Sequence, residues 1–367
     1  MEEKIRELTV REKELLHAVG KYPQASLKEL VNYSSYKRVS TVGRKLEEFK
    51  ERTILCGPLY DLNYSKLCRN PLHKLHCIIE TNKSLETVIP YLKLIDSIRL
   101  IYPVLSHKKV LAMVYYSSND IETEALFQLL KDSDIITNYV VRVWCSKRMV
   151  ENPNFFGDIN PSLDNLLDPC DIPDMSLEQH DTDWNECDIA IIPYLRFGRS
   201  KLIEILREEK KLHRSWTYEQ VRYSREKMLK HGLIKEEYGI LPFLQCQSTL
   251  FELFFEPEDT DVSSRILYNF ARGARVYKEY LLYDGGGWIF CTCHPSFLTD
   301  LMHKLDQIDE IKEKEVYPVR SNNSDKYAFG KPIELKYYNF DEQTLEYPYH
   351  LYEEKIKEKI ENEVCSP

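Results

Sequence analysis

The side chains best placed to do chemistry in this chain crowd into one short stretch. Lys37, Arg38, Ser40, Thr41, Arg44 and Lys45 lie close together, and Arg52 follows. Val42, Leu46 and Phe49 recur at i, i+4 and i+7, so on a helix they face a core and turn Ser40, Thr41, Arg44 and Lys45 outward. A helix presented in this way fits the major groove of a DNA duplex, where arginine can grip a guanine edge and a threonine methyl can meet thymine. Arg44 and Thr41 are therefore expected to face bases. Lys37, Arg38 and Arg52 are expected to hold phosphates, which give affinity without sequence information.

A second stretch is similar but weaker. Tyr218, Gln220, Arg222, Tyr223 and Arg225 lie on a predicted helix from about 217 to 231, where Gln220 or Arg222 could read bases. Arg225 stands where Leu46 stands in the first stretch, so the apolar stripe is thinner. Two readings stay open for this helix: contact with DNA, or support for assembly.

Other candidates fall away on spacing. Cys68, His73, His76 and Cys77 form one Cys/His cluster, and Cys291, Cys293 and His294 another. Neither has the paired C-x2-C knuckles of structural zinc, and Cys291 and Cys293 alternate as core residues of a strand do. The glycines 285–287 lack the Lys-Ser/Thr of a phosphate loop. No nucleophile and base are fixed together by spacing. Thus no catalytic residue, metal or cofactor is expected.

The elements that must position these residues repeat. Thr9 can cap a helix carrying Val10, Leu15, Leu16 and Val19, and Ser26 with Glu29 makes a capping box for a shorter one. The basic helix is third, Gly57-Pro58 closes it, and Leu59–Leu62 reads as a wing strand, which completes a winged helix-turn-helix. Strands over 75–80, 98–105, 110–116 and 136–144, with helices over 85–95 and 121–130, then give the order β-α-β-β-α-β of a ferredoxin-like domain. Residues 250–319 repeat that order, with a hairpin at Asp284-Gly285-Gly286. The segment 41–55 aligns with 220–234, which suggests tandem duplication.

The predicted division is therefore 1–69 winged helix-turn-helix, 70–145 ferredoxin-like domain, 146–186 acidic linker, 187–243 second winged helix-turn-helix, 244–320 second ferredoxin-like domain and 321–367 C-terminal extension. The fold class is α+β. The tail helix over 352–364 is read as a solvated helix.

Charge follows this division. The net charge of −9 would disfavour a polyanion. Yet residues 1–69 carry 14 Lys and Arg against 10 Asp and Glu, and residues 189–243 carry 12 against 7. The stretch 146–188 carries 2 against 11. Local fields, not the total, steer a charged partner. No apolar run is long enough to span a bilayer and the first residues lack a signal-peptide core. Ten scattered cysteines in a chain of 367 residues read as reduced thiols. A cytoplasmic protein is expected.

The run from Ser40 to Gly57, with Leu46-Glu47-Glu48 and Ile54-Leu55-Cys56-Gly57, resembles the recognition helix and wing entry of the Lrp/AsnC family of leucine-responsive regulators. The resemblance covers residues 5–145 and, more weakly, 187–320. It implies sequence-specific binding of double-stranded DNA for transcription regulation, dimers or higher assemblies built through the ferredoxin-like (RAM) domains, and in some members a small-molecule effector. Tandem forms of this kind look archaeal. Siroheme decarboxylases are similar to this family in fold. That alternative would make the chain a tetrapyrrole enzyme and would need His and Arg residues lining a pocket, for which His73, His76, His107 and His294 are available. A third reading is an assembly protein that does not touch DNA.

Overall fold

The structure is a computed structural model that describes residues 7–196, 201–320 and 327–364. Helices α1 (Val10–Lys21), α2 (Leu27–Asn32) and α3 (Val39–Glu51) form the first helix-turn-helix unit. Thr9 and Ser26 cap α1 and α2 through full capping boxes with Glu12 and Glu29. Strand β1 (Leu55–Leu62) follows. The first α/β domain runs β2 (His73–Thr81), α4 (Leu85–Leu92), β3 (Ile98–Val104), β4 (Lys109–Ser117), α5 (Asp120–Asp132) and β5 (Asn138–Val143). After a short strand β6 (Met149–Glu151) comes the second unit, α6 (Glu186–Arg196), α7 (Leu202–Lys211), α8 (Tyr218–Lys230) and β7 (Ile234–Ile240). The second α/β domain is β8 (Thr249–Pro257), α9 (Thr260–Asn269), β9 (Tyr277–Tyr283), β10 (Gly286–Cys293), α10 (Pro295–Leu305) and β11 (Ile311–Pro318). The tail holds β12 (Phe329–Gly330), β13 (Tyr338–Asn339), β14 (Thr344–Leu345) and α11 (Tyr349–Val364). The fold class read from the sequence is the one observed, two helix-turn-helix units each followed by a βαββαβ domain.

Both sheets are antiparallel, in the orders β12-β3-β4-β2-β5 and β6-β9-β10-β8-β11. Each gains a fifth strand from the chain that leaves the other domain: β6 follows β5 and joins β9, while β12 follows β11 and joins β3. The exchange is nearly two-fold symmetric. Val104 bridges Val319 as Tyr283 bridges Trp144. Strand alternation sends Leu75, Cys77 and Ile79 of β2 under α4 and α5, and turns His76 and Ile78 toward the other sheet. Between the sheets Ile78, Val110, Trp144, Phe254, Leu281 and Trp288 pack into one core. A sheet face that would otherwise call for a partner chain is covered within this one.

The wings depart from expectation. No hairpin closes either unit among the described residues. Instead β1 pairs antiparallel with β7, with an irregularity at Cys56–Leu59 that contains Gly57-Pro58. Ile240 enters the core of the first unit, and Tyr60 and Leu62 enter that of the second. The segment 146–186 is also no loose linker. Leu163, Leu166 and Met175 are buried in the second α/β core, and Trp184 is 1% exposed in the first. The tail helix is packed too, because Tyr352 and Ile356 are fully buried beside the first α/β domain.

Arg148, between β5 and β6, ties these parts together. Its guanidinium reaches Asp61 of β1 (3.3 Å), Glu237 of β7 and Glu279 of β9 (2.7 Å). Burial disfavours its charge, but the three carboxylates outweigh that and push its pKa up. Arg148→Ala would strand three acids with no cation, a loss on the order of 3–5 kcal/mol. Urea denaturation checks this; an unchanged midpoint would contradict it.

Candidate functional site

The first unit keeps a cationic edge. Lys37, Arg38, Ser40 and Arg44 are exposed around the first turns of α3, and Thr41 is half-buried. Arg38 occupies the N-cap without a side-chain capping bond, so the helix opens with unshielded N–H groups. Lys45 does not belong to this edge. It lies only 12% exposed between Glu12 (2.8 Å) and Glu48 (2.7 Å). Burial would raise the Glu12 pKa, but hydrogen bonds from Lys45 and Thr9 overcome it and hold the carboxyl at about 2. The residue's spacing placed it outward; Glu12 on α1 draws it in. Arg52 is half-buried, with Glu48 at 3.9 Å.

The second unit presents much less. Tyr218 and Tyr223 are exposed. Gln220 is spent on a capping box, its side-chain oxygen accepting the Thr217 N–H at 2.8 Å. Arg222 is held by Glu219 and Glu226. Arg225 is half-buried, and Ser224, Val221 and Met228 form the inward stripe instead. The small serine one position earlier explains how α8 packs despite an arginine at the place of Leu46.

The cysteine and histidine clusters scatter. His73 bonds Asp120, Cys77 points into the helix-covered core, and His76 is sealed between the sheets. Cys291 and Cys293 lie in the second core. At the centre of the seam His76 meets Glu252, the fourth residues of β2 and β8, with Nε2 and Oε2 3.5 Å apart. Tyr102 donates its hydroxyl to Glu252. Burial pushes the Glu252 pKa up to about 8 and holds that of His76 down at about 3.

A cleft of about 610 Å³ lies between the first unit and the second α/β domain, within the range of pockets that take a cofactor-sized molecule. Leu8 and Lys13 of the α1 end, Arg52 and Ile54, the turn 241–244, Arg275 and His294 line it. Arg275 donates from Nε to the Pro242 carbonyl (3.0 Å), and its guanidinium stacks on Phe243 (4.4 Å). Burial lowers its pKa against the opposing field of Glu7, a carboxylate that also lines the cleft. Lys13 rests over Phe156 at 5.5 Å. His294 caps α10. Its Nδ1 accepts the Ser296 N–H at 3.3 Å, so the ring proton belongs on Nε2. Partly desolvated cations beside a ring N–H favour an anionic guest, and Glu7 in the same lining opposes it. Sequence reasoning named His294 but not Lys13 or Arg275. Both are single charges in variable surroundings, and only the fold brings them together.

The comparisons with known proteins bear on the fold. No protein-family model matches the sequence, and no curated protein matches it. Among solved structures, the chain shares its architecture of paired helix-turn-helix and βαββαβ domains with a protein solved as siroheme decarboxylase NirDL. The TM-score is 0.50, at 12% identity over 96% of this chain and 99% of that one. NirDL in co-complex with an iron-uroporphyrin III analogue gives a TM-score of 0.49 at 14% identity, over 95% of this chain and 98% of that one. Mycobacterium tuberculosis LrpA (TM-score 0.28, 15% identity) and E. coli AsnC (0.29, 14%) match 37% and 38% of this chain, and 91% and 92% of their own. Among the described residues no helix is long and apolar enough to cross a membrane.

The seam yields a test. The folded chain keeps the Glu252 proton that the unfolded chain loses, so this residue's contribution to stability falls as pH rises from about 4.5 to about 8. His76 acts in the opposite sense, costing stability as pH falls below 6.5 toward about 3. Glu252→Gln keeps an acceptor for Tyr102 and removes the first effect. It should match the parent near pH 5 and exceed it by a few kcal/mol at pH 8.5. Urea denaturation at both pH values checks this, and a constant difference would refute the assignment.

Proposed function

We propose that this chain binds a carboxylate-rich tetrapyrrole in the cleft between its first helix-turn-helix unit and its second α/β domain, as a siroheme-decarboxylase-like enzyme. The observation that carries the reading is the convergence of Lys13, Arg52, Arg275 and His294 on a cleft of about 610 Å³. Lys13 and Arg275 offer charge to carboxylates, and Phe243 with Ile54 and Leu8 offers an apolar wall to a conjugated ring. Loss of CO2 from a carboxylate side chain breaks one C–C bond and leaves its electron pair on carbon, which takes up a proton. His294, with Nδ1 engaged, carries a proton on Nε2 that could serve this step. The end-to-end fold likeness to siroheme decarboxylase is in keeping with this reading. The expectation that the chain is no enzyme is set aside in favour of its alternative.

Titration with iron-uroporphyrin III should shift and saturate the tetrapyrrole absorbance. Lys13→Glu should weaken the interaction at least tenfold, and incubation with siroheme should yield products lighter by CO2. A flat titration would end the proposal.

A second reading has its own observation, the exposed Lys37, Arg38 and Arg44 at the start of α3. These would contact double-stranded DNA through the first unit, as in a transcription regulator. Because α8 is neutralised, two chains together would be needed to present two equivalent helices to a duplex. On this reading Arg44→Ala weakens binding by about 1–3 kcal/mol, and affinity falls steeply with salt. Lys45→Ala instead lowers thermal stability through loss of the Glu12 pair. Gel-shift titration and melting curves separate the two effects; equal loss of DNA binding in both variants with unchanged melting would refute it.

A further inference from the structure

The chain around His294 leaves its imidazole little freedom. Cys293, the last residue of β10, and Phe297, in the first turn of α10, are both fully buried in the second core. Between them Pro295 stands at the first helical position, where its ring sets a helical φ and its missing N–H costs nothing. His294 before it and Ser296 after it are half-buried. Two core anchors and a proline therefore fix the backbone that carries both side chains.

The ring is gripped at one nitrogen. Nδ1 lies 2.7 Å from the Ser296 hydroxyl and accepts the Ser296 N–H at 3.3 Å. A neutral imidazole has one N–H and one acceptor nitrogen. A backbone N–H cannot be turned round, so it forces the acceptor role on Nδ1, and the hydroxyl, free to rotate, donates to the same nitrogen. On its other side the ring meets Phe243 at 5.6 Å with the planes 64° apart. With Nδ1 turned to its own helix, Nε2 is the nitrogen left for the cleft that His294 lines. Among the described residues the Ser296 hydroxyl bonds no group but this ring, so the contact is no by-product of capping a helix.

We infer that Ser296 is the positioning residue of the proton donor: its hydroxyl and N–H hold His294 as the Nε2–H tautomer and steady the charge the ring acquires when that proton leaves. The inference rests on reading the cleft as a site of decarboxylation. In that step the bond to the carboxyl carbon breaks, CO2 departs, and the electron pair left on the substrate carbon takes the Nε2 proton. The ring is then an anion until water returns a proton to Nε2. Two donors on Nδ1 stabilise that anion more than they stabilise the neutral ring. Ser296 therefore acts on the transition state and little on substrate binding, which is the kind of interaction that raises kcat.

The experiment uses the full chain labelled with 15N-histidine. Two-bond 1H–15N spectra separate protonated from bare ring nitrogens, and His294→Gln identifies the signal. The parent should show His294 in the Nε2–H form alone. Ser296→Asp, which sets an acceptor where a donor stood, should place a proton on Nδ1. With siroheme as substrate, Ser296→Ala should lower kcat about tenfold with KM within about twofold. Ser296→Thr, which keeps the hydroxyl, should retain the parent's kcat and tautomer. Should the parent leave siroheme unchanged, the decarboxylase reading falls, and the hold of Ser296 on the ring stands or falls by the spectra. A parent ring protonated at Nδ1, a tautomer that Ser296→Asp leaves as it was, or full kcat in Ser296→Ala would overturn the inference.

Discussion

The architecture hangs on a buried cation. Arg148 leaves the first sheet, crosses to the second and, on the way, meets acids from β1, β7 and β9. A guanidinium taken out of water is unfavourable on its own, and so are its carboxylate partners. Each is tolerated only while the others are present. That mutual dependence fixes the paired wing strands against the second α/β domain, and so fixes the first helix-turn-helix unit above Arg275 and His294. The open cleft exists because this junction holds its walls apart at a set distance.

Exchange and asymmetry work together. The reciprocal strands β6 and β12 make each sheet depend on the chain that leaves the other, which places the two domains face to face without a second molecule. The symmetry is incomplete: the tail packs on the first α/β domain, and the second has no such cover among the described residues. A related bias separates the two helix-turn-helix units: α3 exposes unpaired positive charge at its start, while α8 spends Gln220 and Arg222 on its own helix.

Much of the fold was legible in the sequence because it is written in local rules. Alternation marked the strands, capping boxes at Thr9 and Ser26 marked the first helices, and Asp284-Gly285 marked a two-residue turn, with Gly285 at a φ of +110°. What was not legible depended on distant partners. Nothing near Leu59–Leu62 says that its strand will pair with residues 234–240. The acidic segment 146–186 reads as a bridge, since its buried anchors Leu163, Met175 and Trp184 are spaced without period. The candidate site shows the same limit. Lys45 sits outward by helical spacing and inward by the pull of Glu12, and His294 stood out only as a histidine until the fold set it beside Arg275 and Lys13.

The crossed wings carry one further consequence. Because β1 and β7 each complete the hydrophobic core of the opposite unit, neither half of the chain contains all of its own interior. Such a molecule cannot be shortened to one half, nor traded piecewise by recombination, without exposing oily surface. The strands lent across the wings therefore tolerate less change than the surfaces around them, since each must fit an interior it did not build.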